Sequence, residues 1–267
     1  LAARRNLKRI SSDELNESID RVIAGPERKS RVITPVEKKI IAYHEAGHTV
    51  SGYFSDNADV PFKVTIVSRG MAGGFTRSLP NDDRQLQDRS YYEAMMTMAL
   101  GGHVSEELVF GEMTTGAHDD IGKVTQIARN MVTQWGMSAA MGPRTFGKRQ
   151  SMVFLGRDIS EERDYSEKTA EEIDTEVKRL IAEAHERCKQ ILRDKREVLD
   201  RLAEHLIEVE TIEGEDLIAI LDPAGEYRSS RVDNVTPTGP STTMSRKSKE
   251  DQDKKPNQGK PGLVWGS

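Results

Sequence analysis

The sequence of 267 residues has very little cysteine, and this limits how it can bind a metal. It has one cysteine, Cys188, so an internal disulfide and a cysteine-rich zinc cage are both excluded. Any metal must therefore be held by histidine and carboxylate side chains. Cys188 itself lies on the apolar stripe of a predicted helix, and we interpret it as a core residue rather than a nucleophile.

An excess of basic charge is also missing. The chain has 39 Lys and Arg residues against 44 Asp and Glu residues, which gives a formal net charge of −5. Without a basic surplus it offers no broad footprint for a phosphate backbone. We therefore do not expect nucleic acid as a main partner.

Long apolar runs are absent as well. No stretch approaches the roughly 18 apolar residues of a membrane span, and no charged segment followed by an apolar one marks a signal peptide. The Gly-x-x-x-x-Gly-Lys-Ser/Thr loop that cradles the phosphates of ATP does not occur either. Because the sequence opens at Leu1 inside helical sequence, we expect a soluble piece of a longer polypeptide.

Helical periodicity dominates what is present. The first predicted helix has Ser11 and Glu14 in capping-box spacing and Gly25 as its stop, with one apolar face formed by Leu15, Ile19, Val22 and Ile23. The apolar period predicts helices over residues 11–25, 35–54, 91–111, 120–135, 166–193, 197–208 and 214–221.

The remaining segments are β-prone or low in apolar residues. Residues 62–67 and 74–78 flank a glycine-rich connection and predict a hairpin. After Pro223 the composition turns to Ser, Thr, Pro, Lys and Asp, which predicts a disordered tail over residues 223–267. The fold class that follows is mainly α, with a small β-hairpin or sheet.

The motif His44-Glu45-x-x-His48 lies inside the second predicted helix. Residues i and i+4 share a helix face, with Cβ atoms roughly 5–6 Å apart, so both imidazoles can reach one tetrahedral zinc ion. Glu45 is placed to accept a proton from a zinc-bound water and to pass it to the departing amine of a cleaved peptide. The alternative is a pair of solvated or core-edge histidines beside an exposed glutamate.

A catalytic zinc ion needs a third protein ligand, and the spacing excludes two sources of it. The extended motif with glycine and histidine after the second histidine has Ser51 and Phe54 at those positions. A glutamate about 20–25 residues downstream is absent too, because none occurs between Glu45 and Glu93. The ligand must come from farther away, and the best segment, residues 115–120, contains His118, Asp119 and Asp120.

Several motifs occur in the order seen in FtsH-type proteases, and the sequence resembles that family over about residues 1–221. Besides the histidine motif they are Gly101-Gly102 to Gly111 with its paired glutamates, Thr115-Gly116-Ala117 ending at Asp120, Ala128-Arg129-Asn130-Met131-Val132, and Leu155-Gly156 followed by Arg163-Asp164-Tyr165-Ser166-Glu167. Members of the family are membrane-anchored, ATP-dependent zinc metalloproteases. The resemblance implies a helical zinc-peptidase domain with the small β element beside the active site.

The resemblance also implies a division of the chain and the roles of single residues. Residues 1–25 would be the end of an ATPase lid, 26–222 the metallopeptidase domain and 223–267 the tail. Glu45 would be the general base, and one Zn²⁺ per subunit would be held by His44, His48 and Asp120. Asp119 stands where the family usually has asparagine, with His118 just before it, so both are left open as assisting ligands.

Three further expectations come from the resemblance. Glu106 matches a glutamate near the metal and is expected to orient a ligand histidine, with an exposed helix glutamate as the alternative. His103 stands where arginine is common, and we treat it as structural. An edge strand beside the zinc would pair with an extended substrate, with pure scaffolding as the alternative; it comprises Gly73, Gly74, Phe75 and Thr76.

The partners follow from the same resemblance. ATP and Mg²⁺ would bind only in a module upstream of this chain, which would also carry the membrane helices. The subunits would form a homo-hexamer on the cytoplasmic side of the cell membrane and act on unfolded or membrane-extracted proteins. The rival interpretation is a noncatalytic, hexamer-forming scaffold that holds substrate, but retention of both histidines and Glu45 favours an enzyme.

Overall fold

The computed structural model describes residues 1–28, 33–70, 72–79, 86–147 and 164–227. Several sequence predictions lie outside these residues: the glycine-rich connection at Met71, the motif Leu155-Gly156 with Arg163, and the tail from residue 228 onward. Among the described residues, no helix combines the length and the hydropathy that crossing a bilayer requires.

Eight α-helices account for most of the described residues, as the sequence predicts. They are α1 (Ser12–Ala24), α2 (Pro35–Tyr53), α3 (Arg89–Ala99), α4 (Gly101–Phe110), α5 (His118–Thr133), α6 (Glu167–Asp194), α7 (Arg196–Val209) and α8 (Gly214–Leu221). Two short 3-10 turns, Ala3–Arg5 and Thr115–Ala117, precede α1 and α5.

The β structure is a three-stranded antiparallel sheet rather than a hairpin alone. Strand β1 (Val60–Thr65) lies in the middle, between β2 (Phe75–Leu79) and β3 (Thr211–Glu213). The two predicted strands pair with Thr65 opposite Phe75 and Val64 opposite Thr76. The third strand was not predicted, because its three residues are too short to show an alternating pattern. Strand β2 forms one edge of the sheet.

Helix α2 is the most enclosed element, and its sequence explains where it begins. The Thr34 side chain accepts a hydrogen bond from the Glu37 backbone N–H at 3.2 Å, and Pro35 occupies the first turn. From Ala42 onward nearly every residue of α2 is buried against α3, α4, α6, α7 and β1. Cys188 is buried in the same core, as predicted. The histidine motif thus sits on the helix that the core surrounds.

The predicted helix over residues 91–111 is two helices that meet at Leu100. Its expected glycine stop is confirmed, because Gly111 has a φ of 74° and its N–H bonds the Glu107 carbonyl. The glycines at the junction allow α4 to pack closely on α2 rather than ending a helix. A Cβ on Gly101 would lie 2.5 Å from the carbonyl oxygen of Gly47, so α4 can approach α2 only without a side chain there.

The amphipathic pattern of α1 is real, but its apolar face does not pack on the described part of the domain. The capping box of Ser11 and Glu14 is present. The residues predicted to form the buried face are all exposed: Leu15, Ile19, Val22 and Ile23. The reason is that the opposite, polar face carries the charges that contact the sheet.

Ion pairs join the polar face of α1 to the sheet. Asp20 is fully buried, and its Oδ1 lies 2.7 Å from Nη1 of Arg77 on β2. Lys63 Nζ on β1 approaches Oδ2 to 2.9 Å, as a charge contact rather than an aligned hydrogen bond. Beside this pair, Glu17 binds Arg69 at 2.7 Å, and this contact, opposed by partial burial, lowers the pKa of Glu17 to about 2.

Residues 223–227, which the sequence assigned to the disordered tail, are packed against the domain. The Tyr227 ring packs against Tyr53 and Phe54 with centroids 5.5 and 5.0 Å away, and its hydroxyl donates to Asp56 at 2.8 Å. Residues 223–227 therefore belong to the folded domain, because an aromatic ring supplies the apolar surface that the rest of this segment lacks.

We predict that Asp20→Ala lowers the free energy of unfolding by about 3 kcal/mol, because it leaves the buried Arg77 guanidinium without its carboxylate. The measurement is urea unfolding followed by circular dichroism at saturating zinc. Asp174→Ala, at an exposed position of α6, is the control and should change stability by less than about 0.5 kcal/mol. Equal midpoints for the two variants would contradict this role of Asp20.

Candidate metal centre

Three side chains that the sequence analysis selected converge at one point. Nε2 of His44 and Nε2 of His48 lie 3.1 Å apart, and Oδ2 of Asp120 lies 3.4 Å from the first and 3.2 Å from the second. The histidines come from adjacent turns of α2 and the aspartate from the first turn of α5. Within the described residues, this is the one group of three or more possible ligands close enough to hold a metal ion together.

The spacing of these donor atoms fits zinc. Tetrahedral bonds of about 2.0–2.1 Å to nitrogen and oxygen place two donor atoms about 3.3–3.4 Å apart. The observed separations of 3.1–3.4 Å match that triangle closely. Two imidazoles and one carboxylate also leave the fourth position open, as in catalytic rather than structural zinc sites.

Hydrogen bonds on the other ring nitrogens leave Nε2 of both histidines available. His44 Nδ1 lies 2.7 Å from Oε1 of Glu106, and His48 Nδ1 lies 2.9 Å from the Met98 carbonyl oxygen. Both partners are acceptors, so each Nδ1 donates a proton. The Gly102 N–H is a weaker, 3.4 Å neighbour of His48 Nδ1. A neutral imidazole that donates from Nδ1 presents the lone pair of Nε2.

Glu106 connects α2 to the segment that carries Asp120. It is buried on α4, and its second oxygen accepts a hydrogen bond from the Thr114 backbone N–H at 2.6 Å. Thr114 is the N-cap of the 3-10 turn that runs directly into α5. One carboxylate therefore orients His44 and anchors the chain just before Asp120, so the alternative of an exposed helix glutamate is wrong.

The segment before Asp120 distinguishes among the three candidates for the third ligand. The side chains of His118 and Asp119 are exposed, whereas the Asp120 side chain is 17% exposed and points to the histidines. Helix α5 begins at His118, and a helix turns each successive residue about 100° around its axis. Only one of three consecutive residues can therefore face the cluster.

The electrostatics of the cluster keep its two carboxylates ionised. Burial opposes protonation of His44, but its hydrogen bonds to Asp120 and Glu106 outweigh burial and raise its pKa to about 10. Burial would raise the pKa of Asp120, yet the contacts with His44 and His48 lower it far below its usual range. The pKa of Glu106 is also lowered, because hydrogen bonds from His44 and Thr114 outweigh burial. Both carboxylates stay ionised at neutral pH and favour a bound cation.

Glu45 lies between the histidines and the edge strand. It is 6% exposed, and burial raises its pKa, opposed by the charges of His48 and His44. Its Oε2 accepts a hydrogen bond from the Thr76 hydroxyl at 3.0 Å. A Cβ on Gly74 would lie 2.9 Å from Glu45 Cγ, so the strand passes directly against the carboxylate.

The predicted substrate segment, Gly73 to Thr76, borders the metal centre. Phe75 and Thr76 lie in β2, and Gly74 is buried against Glu45. A Cβ on Gly73 would lie 3.1 Å from the side chain of Ile41 on α2. The segment is therefore near the ligands, and pairing with a substrate stays a prediction.

Sequence reasoning missed three contributors to the site. The Met98 carbonyl is a backbone group, which a side-chain motif cannot reveal. Gly102 is needed because a Cβ there would lie 2.4 Å from the His44 ring, and its signal was the glycine pair itself. Thr76 was assigned to the strand, not to Glu45. His103, treated as structural, lies with its ring 6.2 Å from that of His185.

A family model described as Peptidase family M41 matches residues 31–220, which contain every residue of this centre. The chain belongs to peptidase family M41. It is 52% identical over 225 residues to a protein of Synechococcus sp., 50% identical over 242 residues to one of Kosmotoga olearia, and 49% identical over 223 residues to one of Bacillus subtilis. Each of these relatives is named ATP-dependent zinc metalloprotease FtsH.

The M41 chain spans little more than a third of the length of these relatives. The matches cover 83%, 86% and 83% of this chain, but 35%, 38% and 35% of the Synechococcus, Kosmotoga and Bacillus proteins. The shared part is therefore the peptidase-family domain, and zinc is the metal that both the donor set and the names of the relatives support.

We predict that Asp120→Asn weakens zinc binding at least tenfold, because the amide removes the anionic donor, and that Asp119→Asn changes it less than about twofold. The two positions are adjacent and the two changes are chemically identical, so each variant controls for the other. The dissociation constant is measured by competition with a chromophoric chelator. Equal effects, or a larger effect of His118→Ala, would show that the third ligand is misassigned.

We also predict that Gly102→Ala weakens zinc binding about tenfold, because the new methyl group displaces the His44 ring from Glu106. Gly122→Ala is the matched control: Gly122 lies in α5 near Asp120, and nothing lies within 4 Å of a Cβ there. That change should keep the affinity and stabilise the helix by about 0.5–1 kcal/mol. The same chelator assay and a thermal melt test the pair, and unchanged affinity in Gly102→Ala would refute the steric argument.

Proposed function

We propose that this chain is a zinc-dependent endopeptidase domain that hydrolyses peptide bonds of unfolded polypeptides. The observation that carries the proposal is the combination of a His44, His48 and Asp120 donor triangle with a buried carboxylate, Glu45, directly beside it. Holding the metal ion needs the triangle alone. A hydrolase additionally needs a base that is close to the open position of the metal.

Each residue of the centre has a defined role in this proposal. When bound, zinc lowers the pKa of a coordinated water and polarises the carbonyl of the scissile bond. His44, His48 and Asp120 hold the ion, and Glu106 and the Met98 carbonyl keep the two imidazoles in the coordinating tautomer. Glu45 takes the proton of the attacking water and delivers it to the leaving amine.

Burial suits Glu45 to this proton transfer. A carboxylate in water has a pKa near 4 and holds a proton poorly at neutral pH. Burial raises the pKa of Glu45 and so strengthens it as a base. The charges of the nearby imidazoles oppose this rise.

The edge of the sheet supports an extended polypeptide as substrate. Strand β2 pairs with β1 on one side only, and no other strand of the described residues covers its second edge. Backbone groups at an open edge can pair with a peptide independently of its side chains. A substrate bound along residues 73–76 would therefore lie against Glu45 and be read with little sequence preference.

For the whole protein we propose the organisation that the relatives' names and the family resemblance suggest. Those relatives are named ATP-dependent, and this chain lacks a phosphate-binding loop, so the ATPase and its Mg²⁺ would belong to a part outside this chain. Residues 1–25 would be the end of the ATPase lid. Homo-hexamer formation, a membrane anchor and a position on the cytoplasmic side of the cell membrane complete the proposal.

The test is hydrolysis of casein by the zinc-loaded chain and by its Glu45→Gln variant. We predict that the variant keeps one zinc ion and loses at least 100-fold in kcat, because the amide cannot accept the proton. Glu172→Gln, an exposed position of α6, makes the same chemical change away from the centre and should keep full activity.

Two results would overturn the proposal. Hydrolysis by Glu45→Gln at the wild-type rate would exclude Glu45 as the base. A wild-type chain that binds zinc but cleaves neither casein nor short peptides would favour the noncatalytic scaffold.

A chelator should also stop wild-type hydrolysis reversibly, with activity restored by zinc.

A further inference from the structure

We propose that Thr76 is a positioning residue for the general base: its hydroxyl holds the Glu45 carboxylate in the orientation that accepts the proton. This inference rests on the proposed function. It assigns to the Thr76 side chain a task that is separate from the pairing of its backbone with substrate, and it makes the edge strand part of the catalytic arrangement.

The Thr76 hydroxyl has two acceptors on Glu45 within reach of its proton. The Thr76 hydroxyl lies 3.0 Å from Glu45 Oε2 and 3.3 Å from the Glu45 backbone carbonyl. Thr49 on α2 already donates its own hydroxyl proton to that carbonyl at 2.8 Å. A hydroxyl has one proton, and the carboxylate oxygen is the nearer of the two acceptors. Thr76 therefore donates to the carboxylate.

The Thr76 hydroxyl is the main polar restraint on the Glu45 carboxylate. Among the described residues, Thr76 is the one side chain that makes a hydrogen bond to either carboxylate oxygen of Glu45. A glutamate side chain has three rotatable bonds, and the last of them is broad and weakly restricted. Without this hydrogen bond, packing alone would restrain the plane of the carboxylate.

Strand β2 holds the Thr76 hydroxyl in a fixed place beside Glu45. Thr76 pairs with Val64 of the central strand, and its β-branched side chain has few rotamers in a strand. Gly74, two residues earlier on the same face, has no side chain and lets Glu45 lie against the strand. The paired strand supports the Thr76 hydroxyl rigidly, and Gly74 lets the backbone come close to Glu45. A base that must be held in one orientation requires both.

The experiment compares peptide hydrolysis by Thr76→Val, Thr76→Ser and wild type. Valine keeps the shape and the backbone but removes the proton donor, whereas serine keeps the donor. We expect Thr76→Val to lower kcat about tenfold with KM changed less than about twofold, and Thr76→Ser to keep kcat within about threefold of wild type. Ser78→Ala is the control, because Ser78 shares the face of β2 and, among the described residues, its hydroxyl contacts the Met98 sulfur alone, at 3.9 Å.

Three measurements without turnover separate positioning from folding and from substrate binding. Zinc content and melting temperature of Thr76→Val should match wild type. The dissociation constant of an uncleaved peptide should be the same for Glu45→Gln and for Glu45→Gln/Thr76→Val, because the backbone edge is unchanged. If Thr76→Val loses zinc or unfolds, Thr76→Ala repeats the test with a smaller side chain.

The outcomes are distinguishable from failure of the proposed function. An inactive wild-type chain rejects that function. An active wild type together with an equally active Thr76→Val rejects the inference alone. A higher KM or weaker peptide binding with unchanged kcat would reject it as well, and would show that the Thr76 side chain serves substrate binding instead.

Discussion

The metal centre depends on how closely α2 and α4 approach each other. A Cβ on Gly47 would lie 2.2 Å from the Gly101 carbonyl oxygen, so the two backbones are in contact where the histidine motif passes. At this separation Glu106, on the next turn of α4, reaches His44 at 2.7 Å. A wider spacing would break this hydrogen bond and leave the imidazole free to rotate. The coordinating geometry is therefore a consequence of backbone packing, and Gly47, at an unspecified position of the motif, is needed for it.

The local parts of this arrangement could be predicted from the sequence. Thr34, Pro35 and Glu37 mark the start of α2, and the i and i+4 spacing places two ligands on one face. The third ligand is 72 positions beyond His48, and no local pattern relates the two. Excluding two known sources of a third ligand left the segment 115–120 as the best candidate, and the family resemblance then selected Asp120. The turn of α5 explains why the side chains of His118 and Asp119 point to solvent.

Two features of the fold, strand β3 and the orientation of α1, could not be predicted because they depend on tertiary contacts. Strand β3, Thr211–Glu213, has no alternating pattern of its own and forms because β1 offers an edge for pairing. The orientation of α1 shows a conflict between two signals. Its apolar stripe predicts a buried face, yet Asp20 draws the polar face to Arg77 and Lys63. Leaving the buried Arg77 without its carboxylate would cost more free energy than leaving a few aliphatic side chains of α1 in solvent. The ion pairs therefore decide which face of α1 packs on the sheet.

Strand β2 connects the metal centre to α1, because its two faces contact different helices. Successive residues of a strand point to opposite faces, so β2 can be bonded to a different element on each side. Thr76 faces α2 and donates to Glu45, while Arg77, the next residue, faces α1 and is held by Asp20 at 2.7 Å. The contact between Glu45 and the strand is thus linked to contacts on both sides of the sheet. His44 and His48 are held instead by Glu106 of α4 and by the Met98 carbonyl of α3, so a displacement of α1 would reach the Thr76–Glu45 contact through β2 without acting directly on these two hydrogen bonds.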